Sequence, residues 1–228
     1  MKKKVLAIIP ARSGSKGIKN KNLVKINKRH LIDYTILEAK KSKLIDKIVV
    51  STDSEKIIRI AKKSRVDFIK RPKLLSQDKT TIYPVVKHVL NFEKKINNFY
   101  DYIIILQPTT PLKKLFMIDR GIGLIKKKNA DTLISVYQVE DNHPSRMYKK
   151  KKGFLIPLNK KKQWLNRQNL EKIYHRDGNI YICKTTSLIK NKSIYGNKII
   201  PLILHKKYKL NIDDMHDLKL ARKIFSNV

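Results

Sequence analysis

The residues best suited to chemistry lie near the start of the chain, in Ile9-Pro10-Ala11-Arg12-Ser13-Gly14-Ser15-Lys16-Gly17 followed by Ile18-Lys19-Asn20-Lys21-Asn22. An apolar run feeds a loop of small residues, Ser13, Gly14, Ser15 and Gly17, whose backbone N–H groups can turn towards an anion without a side chain in the way. Arg12, Lys16 and Lys21 place cations at several points round the same concavity, as a triphosphate requires. The loop lacks the Gly-Lys-Ser/Thr ending of a Walker A motif and the spaced glycines of a dinucleotide turn. Spacing alone fits a basic flexible loop equally well. Zinc chemistry is poorly represented, because the six histidines show no paired ligand spacing. The single cysteine, Cys183, excludes an intrachain disulfide and a Cys-based zinc cluster.

Such a loop needs a scaffold, and the hydrophobic pattern describes one. Strand-length apolar runs at residues 5–9, 47–51, 66–69, 101–106 and 131–136 alternate with helical patterns at 31–43, 55–63, 81–95 and 116–127. In the first helix Ile32, Thr35, Ile36 and Ala39 share a face, and Thr52 and Glu55 have capping-box spacing for the second. Repeated β–α units with continuously apolar strands predict an α/β fold, a parallel sheet covered by helices on both faces. Ligands then bind at the carboxyl ends of strands, in the loops after Ile9, Val50, Ile69 and Leu106. The pattern breaks between Gln138 and Lys172, a polar, lysine-rich stretch with Pro144, Pro157 and Trp164. It reads as a disordered excursion or as an arm ordered by a partner subunit. Strand patterns return at 178–183 and 199–205, and a last helix is predicted at 215–225.

The 228 residues suit a single domain, 1–228, and 41% hydrophobic content allows a sizeable core. No apolar run approaches a membrane span, and the one after Lys4 is too short for a signal sequence, so the expectation is a cytoplasmic protein without membrane contact. The net charge of +35 points towards nucleic acid. Its distribution points away, since lysines are spread from Lys2 to Lys223, arginine is a minority, and cations are not interleaved with aromatics. Heavy use of Lys, Ile and Asn is what an AT-rich coding sequence imposes.

The loop from Ile9 to Asn22 resembles the nucleotide-binding signature of the CMP-sialic acid synthetase (acylneuraminate cytidylyltransferase) family, with Lys19 where proline is usual. The likeness continues through Ile48-Val49-Val50-Ser51-Thr52-Asp53, through Arg71-Pro72 with Leu75, Asp78, Thr80 and Thr81, and through Leu106-Gln107-Pro108-Thr109-Thr110-Pro111-Leu112. There Lys113 replaces the usual arginine. It extends to Arg167-Gln168, to Gly178 with Ile180-Tyr181-Ile182, where His175 stands at a place that is often arginine, and to Asn211-Ile212-Asp213, which resembles an Asp-Ile-Asp metal motif.

This resemblance implies a mostly parallel, Rossmann-like nucleotidyltransferase sheet with a small dimerisation arm inserted at about 138–172, and a homodimer. It implies a Mg²⁺-dependent attack by the anomeric hydroxyl of an acidic nine-carbon sugar on the α-phosphorus of CTP. Carried over by position, Arg12, Lys21 and Asp213 would be catalytic. Arg12, Ser15, Lys16, Gly17, Lys21, Asn22, Arg71 and Thr81 would bind CTP. Gln107, Arg167, Gly178 and Tyr181 would bind the sugar, and Asp213 with Asn211 would hold the metal. Read without the family, Arg71 is a surface cation before a proline turn, Gln107 a backbone-bonding residue, Tyr181 an outward strand residue or sheet packing, and Asp213 or Asp214 a helix cap. A KDO cytidylyltransferase is the alternative within the class, disfavoured because its loop carries a Ser/Thr-Arg-Leu-Pro-Gly-Lys pattern. A basic nucleic-acid-binding protein is the alternative outside it. The Ser-Lys-Gly form of the loop leans against pseudaminic acid as the sugar.

Overall fold

The computed structural model describes residues 3–160 and 164–226. Its centre is a seven-stranded sheet of β1 (Val5–Pro10), β4 (Lys47–Thr52), β5 (Asp67–Lys70), β6 (Tyr102–Leu106), β7 (Thr132–Gln138), β10 (Tyr174–Lys184) and β11 (Ile199–Ile203), in the order β11-β7-β10-β6-β1-β4-β5. β1 is parallel to both β4 and β6, β4 is parallel to β5, and β7 is parallel to β11. The strands follow the predicted runs within a few residues. β10 is the exception to the parallel pattern: it runs antiparallel to β6 and β7 and starts four residues before the expected strand.

Helices cover both faces, as the continuous apolar runs require. Val5, Ala7 and Ile9 of β1 pack under α1 (Leu31–Lys41), α2 (Glu55–Lys63) and α4 (Leu115–Lys128). Leu6 and Ile8 face α3 (Ile82–Lys95) and α5 (Thr185–Asn191). The capping expectation for α2 is corrected: Ser54 is its N-cap, accepting from the Ile57 amide at 3.4 Å, while Thr52 accepts from the Ser54 amide.

A third apolar cluster lies off the sheet and was not foreseen. Ile18 from the basic loop, Ile26 from a small hairpin of β2 (Lys25–Ile26) and β3 (Arg29–His30), Ile212, and Leu218 of α6 (Met215–Ser226) pack together. It presses the end of the basic loop against the segment that carries Asp213.

The stretch from Gln138 to Lys172 is not structureless. Its β8 (Tyr148–Lys151) and β9 (Phe154–Pro157) form an antiparallel hairpin. Lys152 and Gly153 both have positive φ, the backbone that a two-residue hairpin turn demands. Phe154 and Leu155 in the hairpin, and Trp164 further along the stretch, are 75%, 67% and 84% exposed.

Candidate active site

The carboxyl ends of β1, β5 and β6 open into a cleft of about 480 Å³. Arg12, Ser15, Lys16, Gly17, Lys21, Asn22, Arg71 and Thr81, the eight residues assigned to CTP from the sequence, all line it, with Gln107 and Asp213. β1 delivers the loop, and the Ala11 amide bonds the Ser51 carbonyl at 2.9 Å, fixing where the loop departs. Asp53, just past β4, then anchors Ser13 twice, accepting from its amide at 2.7 Å and from its hydroxyl at 2.6 Å. Burial pulls the Asp53 carboxyl upward, but the Ser13 bonds and the charge of Arg71 hold it below the ordinary carboxylate range.

Arg71 is buried, which corrects its reading as a surface cation. Its guanidinium donates to the Ser51 hydroxyl at 3.1 Å and the Ser51 carbonyl at 2.7 Å. Burial, with Arg12 nearby and Asp53 opposing, brings its pKa down to about 10, so it stays charged at neutral pH. Asn22 is likewise buried and spends its amide N–H₂ on the Arg12 carbonyl at 3.0 Å, bracing the loop from below.

Three of the cations already hold a carboxylate. Arg12 pairs with Asp78 at 2.6 Å, and Lys16 reaches the same carboxylate at 3.7 Å. Lys21 pairs with Asp213 at 2.8 Å, whose second oxygen accepts from the Asn211 amide. The helix-capping question is resolved by neighbouring bonds. Asp214 accepts from the Asp217 amide at 2.9 Å, while the Asp217 carboxylate accepts from the Asp214 amide at 3.2 Å, a reciprocal cap for α6. Asp214 caps the helix, and the Asp213 carboxylate is left facing the cleft.

A second cleft, about 830 Å³, adjoins the first and shares Ile82 and Gln107 with it. Gly178, Tyr181 and Asn211 line it, the first two being residues assigned to the sugar from the sequence. A bulge in β10 between Arg176 and Tyr181 turns Gly178, at φ 76°, into this space. Tyr181 is buried, with its phenol pushed upward by desolvation. Arg167 opens a short 3-10 turn, Arg167–Asn169, and its side chain is not among those the structure describes.

The profile of the cytidylyltransferase family matches residues 6–223, nearly the whole chain and both clefts. The chain belongs to that family. Among relatives of this cytidylyltransferase, an N-acylneuraminate cytidylyltransferase from Escherichia coli O18:K1:H7 is 33% identical over 97% of the chain, which spans about half, 52%, of that protein. A CMP-N,N'-diacetyllegionaminic acid synthase from Campylobacter jejuni is 30% identical over 97% of the chain and 95% of its own length. In fold, a CMP-2-keto-3-deoxy-manno-octonic acid synthetase solved with CTP superposes with a TM-score of 0.74, covering 98% of this chain and 99% of that one at 13% identity.

Sequence reasoning missed several groups that this cytidylyltransferase brings to the site. Arg176, Tyr195, Tyr137 and Lys209 line the second cleft. Arg176 donates to the Tyr195 hydroxyl, and Lys209 lies 4.6 Å from the centre of the Tyr137 ring. Arg176 sits two residues before Gly178, close enough to have been noticed. Tyr195 and Lys209 come from loops that no local pattern ties to the sheet.

Proposed function

We propose that this cytidylyltransferase transfers CMP from CTP to the anomeric hydroxyl of a sialic-acid-type nine-carbon sugar, in the cytoplasm, releasing pyrophosphate. The observation that carries the reading is the pair of joined clefts. One is ringed by Arg12, Lys16, Lys21 and Arg71, and the other is lined by Arg176, Lys209 and tyrosines, with Gln107 common to both. The first supplies charge for a triphosphate, and the second combines cations and hydroxyls suited to an acidic polyol. The names of the relatives point to the same class of acceptor.

In this reading the loop amides and Arg12, Lys16 and Lys21 hold the phosphates while Arg71 and Asn22 shape the floor under the cytidine. Gln107, Gly178 and Tyr181, with Arg167, seat the sugar so that its hydroxyl oxygen bonds the α-phosphorus as the bond to pyrophosphate breaks. Asp78 leaves Arg12 and Lys16 when the stronger anion arrives. Position and charge neutralisation carry such a reaction.

The residues present fit Mg²⁺. Among the described residues no three His, Cys, Asp or Glu side chains form a closed metal cage. Mg²⁺ commonly takes one or two carboxylates and fills its shell with water and phosphate. Asp213, its side chain 65% exposed at the cleft, would be that carboxylate, with Asn211 beside it. Bound there, the ion would neutralise triphosphate charge and help align the displacement.

The arm around β8 and β9 carries the proposed homodimer contact, since it leaves Phe154, Leu155 and Trp164 largely bare. A monomer mass in solution at micromolar concentration would count against that contact. For the reaction, pyrophosphate release from CTP and Mg²⁺ is measured with N-acetylneuraminic, legionaminic and pseudaminic acids and KDO. Release with a nine-carbon acid is expected. Release with KDO alone, or with none of the acids, would refute the proposal.

A further inference from the structure

Lysine is rarely buried unless paired, yet Lys113, in the turn between β6 and α4, is 1% exposed. It lines neither of the two joined clefts. Its ammonium group lies among oxygens: Thr110 Oγ1 at 2.7 Å, the Gln107 and Thr110 carbonyls at 3.4 Å each, and Asn179 Oδ1 at 3.5 Å. Thr110 Oγ1 itself donates to the Gln107 carbonyl at 3.1 Å, so all four oxygens face Lys113 as acceptors. An ammonium group with three N–H donors suits such a shell, and a neutral side chain of the same size would leave buried acceptors unpaired.

The bonds continue beyond Asn179. Its side-chain and backbone N–H groups each donate to the Asp177 carboxylate at 2.9 Å, and Ser135 of β7 donates to the same carboxylate at 2.5 Å. Ser135 also accepts from the Ile180 amide at 2.8 Å. One network therefore ties β7 and the bulge of β10 to the turn after β6. These are the segments that face each other across the second cleft: a Cβ built on Gly178 would stand 3.6 Å from Gln107 Oε1.

We propose that Lys113 is a positioning residue that sets the spacing between Gln107 and Gly178, and through them the fit of the acceptor sugar. This rests on reading the second cleft as the sugar site. Lys113 touches no substrate and acts only through the two segments it links.

Its chemistry supplies a readout that simple packing would not. Burial pushes the Lys113 pKa down to about 7, with Asp177 pulling the other way. On the α1 side, the small cleft that Lys113 edges also holds Arg29, Tyr34, Glu38, Lys41 and Lys114. The ammonium form prevails below about pH 7 and is lost above it, so the hold on the two segments weakens as pH rises. An arginine in its place keeps its charge across that range.

The test compares the wild type with Lys113→Met and Lys113→Arg. Lys113→Met should raise the apparent KM for the sugar by roughly tenfold or more and leave that for CTP within about twofold. Lys113→Arg should recover most of the loss and remove the rise in sugar KM seen in the wild type above about pH 7. Equal rises for both substrates, or no rise, overturn the proposal. If the Met variant does not fold, the pH profiles of wild type and Lys113→Arg make the decision, and identical profiles overturn it. Hydrogen exchange on the ligand-free protein tests the network without turnover. Loss of the lysine charge should speed exchange at residues 107–113 and 177–181 while β4 and α2 stay unchanged, and an unaltered pattern overturns the proposal. A wild type inactive with every acid would refute the sugar reading, and exchange would still decide the network.

Discussion

Gly17→Ala is expected to separate catalysis from stability, because of what lies beside Gly17. A Cβ there would sit 2.1 Å from the backbone carbonyl oxygen of Asp213 and 3.2 Å from its carbonyl carbon. Ordinary non-bonded contacts begin near 3 Å, so the two loops must part by about 1 Å. Both belong to backbone, and no flexible side-chain end is present to give way. The displacement would move Asp213 relative to the phosphate loop, and a misplacement of about 1 Å costs roughly 10²-fold in rate. That corresponds to about 2.7 kcal/mol of lost transition-state stabilisation. Gly17 is exposed, so the strain relaxes by moving a loop, and the unfolding midpoint should fall by no more than a few degrees. Gly14→Ala is the control, since nothing lies within 4 Å of its Cβ position. The assay is pyrophosphate release at saturating and limiting CTP, with thermal unfolding of both variants alongside. If Gly17→Ala matched Gly14→Ala in kcat/KM, the close approach of the two loops would have no role in turnover and the reasoning would fail.

Three further outcomes follow from the same site. Arg12→Ala and Lys21→Ala should each raise the KM for CTP by about tenfold or more while the sugar KM changes little, and Arg167→Ala should do the reverse; steady-state kinetics with each substrate varied decides this. Asp213→Asn should lose most turnover without loss of thermal stability, because Asp214 and Asp217 make the cap of α6, whereas Asn211→Asp should lower the Mg²⁺ concentration needed. Ser13→Ala should reduce stability at neutral pH. Asp53 has its pKa depressed in the fold, so its contribution is present above the unfolded value of about 4 and is lost as pH falls through the folded one; the gap from wild type in denaturant titrations should close in acid.

Much of the sheet was legible because a strand buried on both faces must be apolar at every position, as residues 102–106 are. The direction of β10 was not, since hydrophobic patterning is the same read either way along a strand. The basic loop announced itself through small residues and cations, and all eight residues assigned to CTP line one cleft. The burial of Arg71 was hidden because its partners, the Ser51 hydroxyl and carbonyl, lie twenty residues away in sequence. Asp213 and Asp214 could not be told apart as caps without the position of Asp217. The β2–β3 hairpin was missed because two-residue strands leave no period, although Asn27 and Lys28 take up the left-handed backbone at its turn. Lys113 was noted only as a substitution for arginine; its acceptors at Gln107 and Thr110 are local, but Asn179, which closes the shell from β10, lies sixty-six residues away.

The insertion of β10 between β6 and β7 bears on how the polypeptide emerges from the ribosome. β1, β4, β5 and β6 are all complete once Leu106 has been made, and they can pair in parallel as a unit. β6 is then a border strand, apolar along its whole length, and β7 cannot shield it because β7 pairs only with β10 and β11. The strand that covers it begins at Tyr174. Throughout that interval the growing chain offers an unprotected, fully hydrophobic edge of the kind that recruits other chains. Truncations ending between Leu106 and Tyr174 should therefore collect as insoluble material, and the yield of soluble protein should depend on chaperone supply during synthesis.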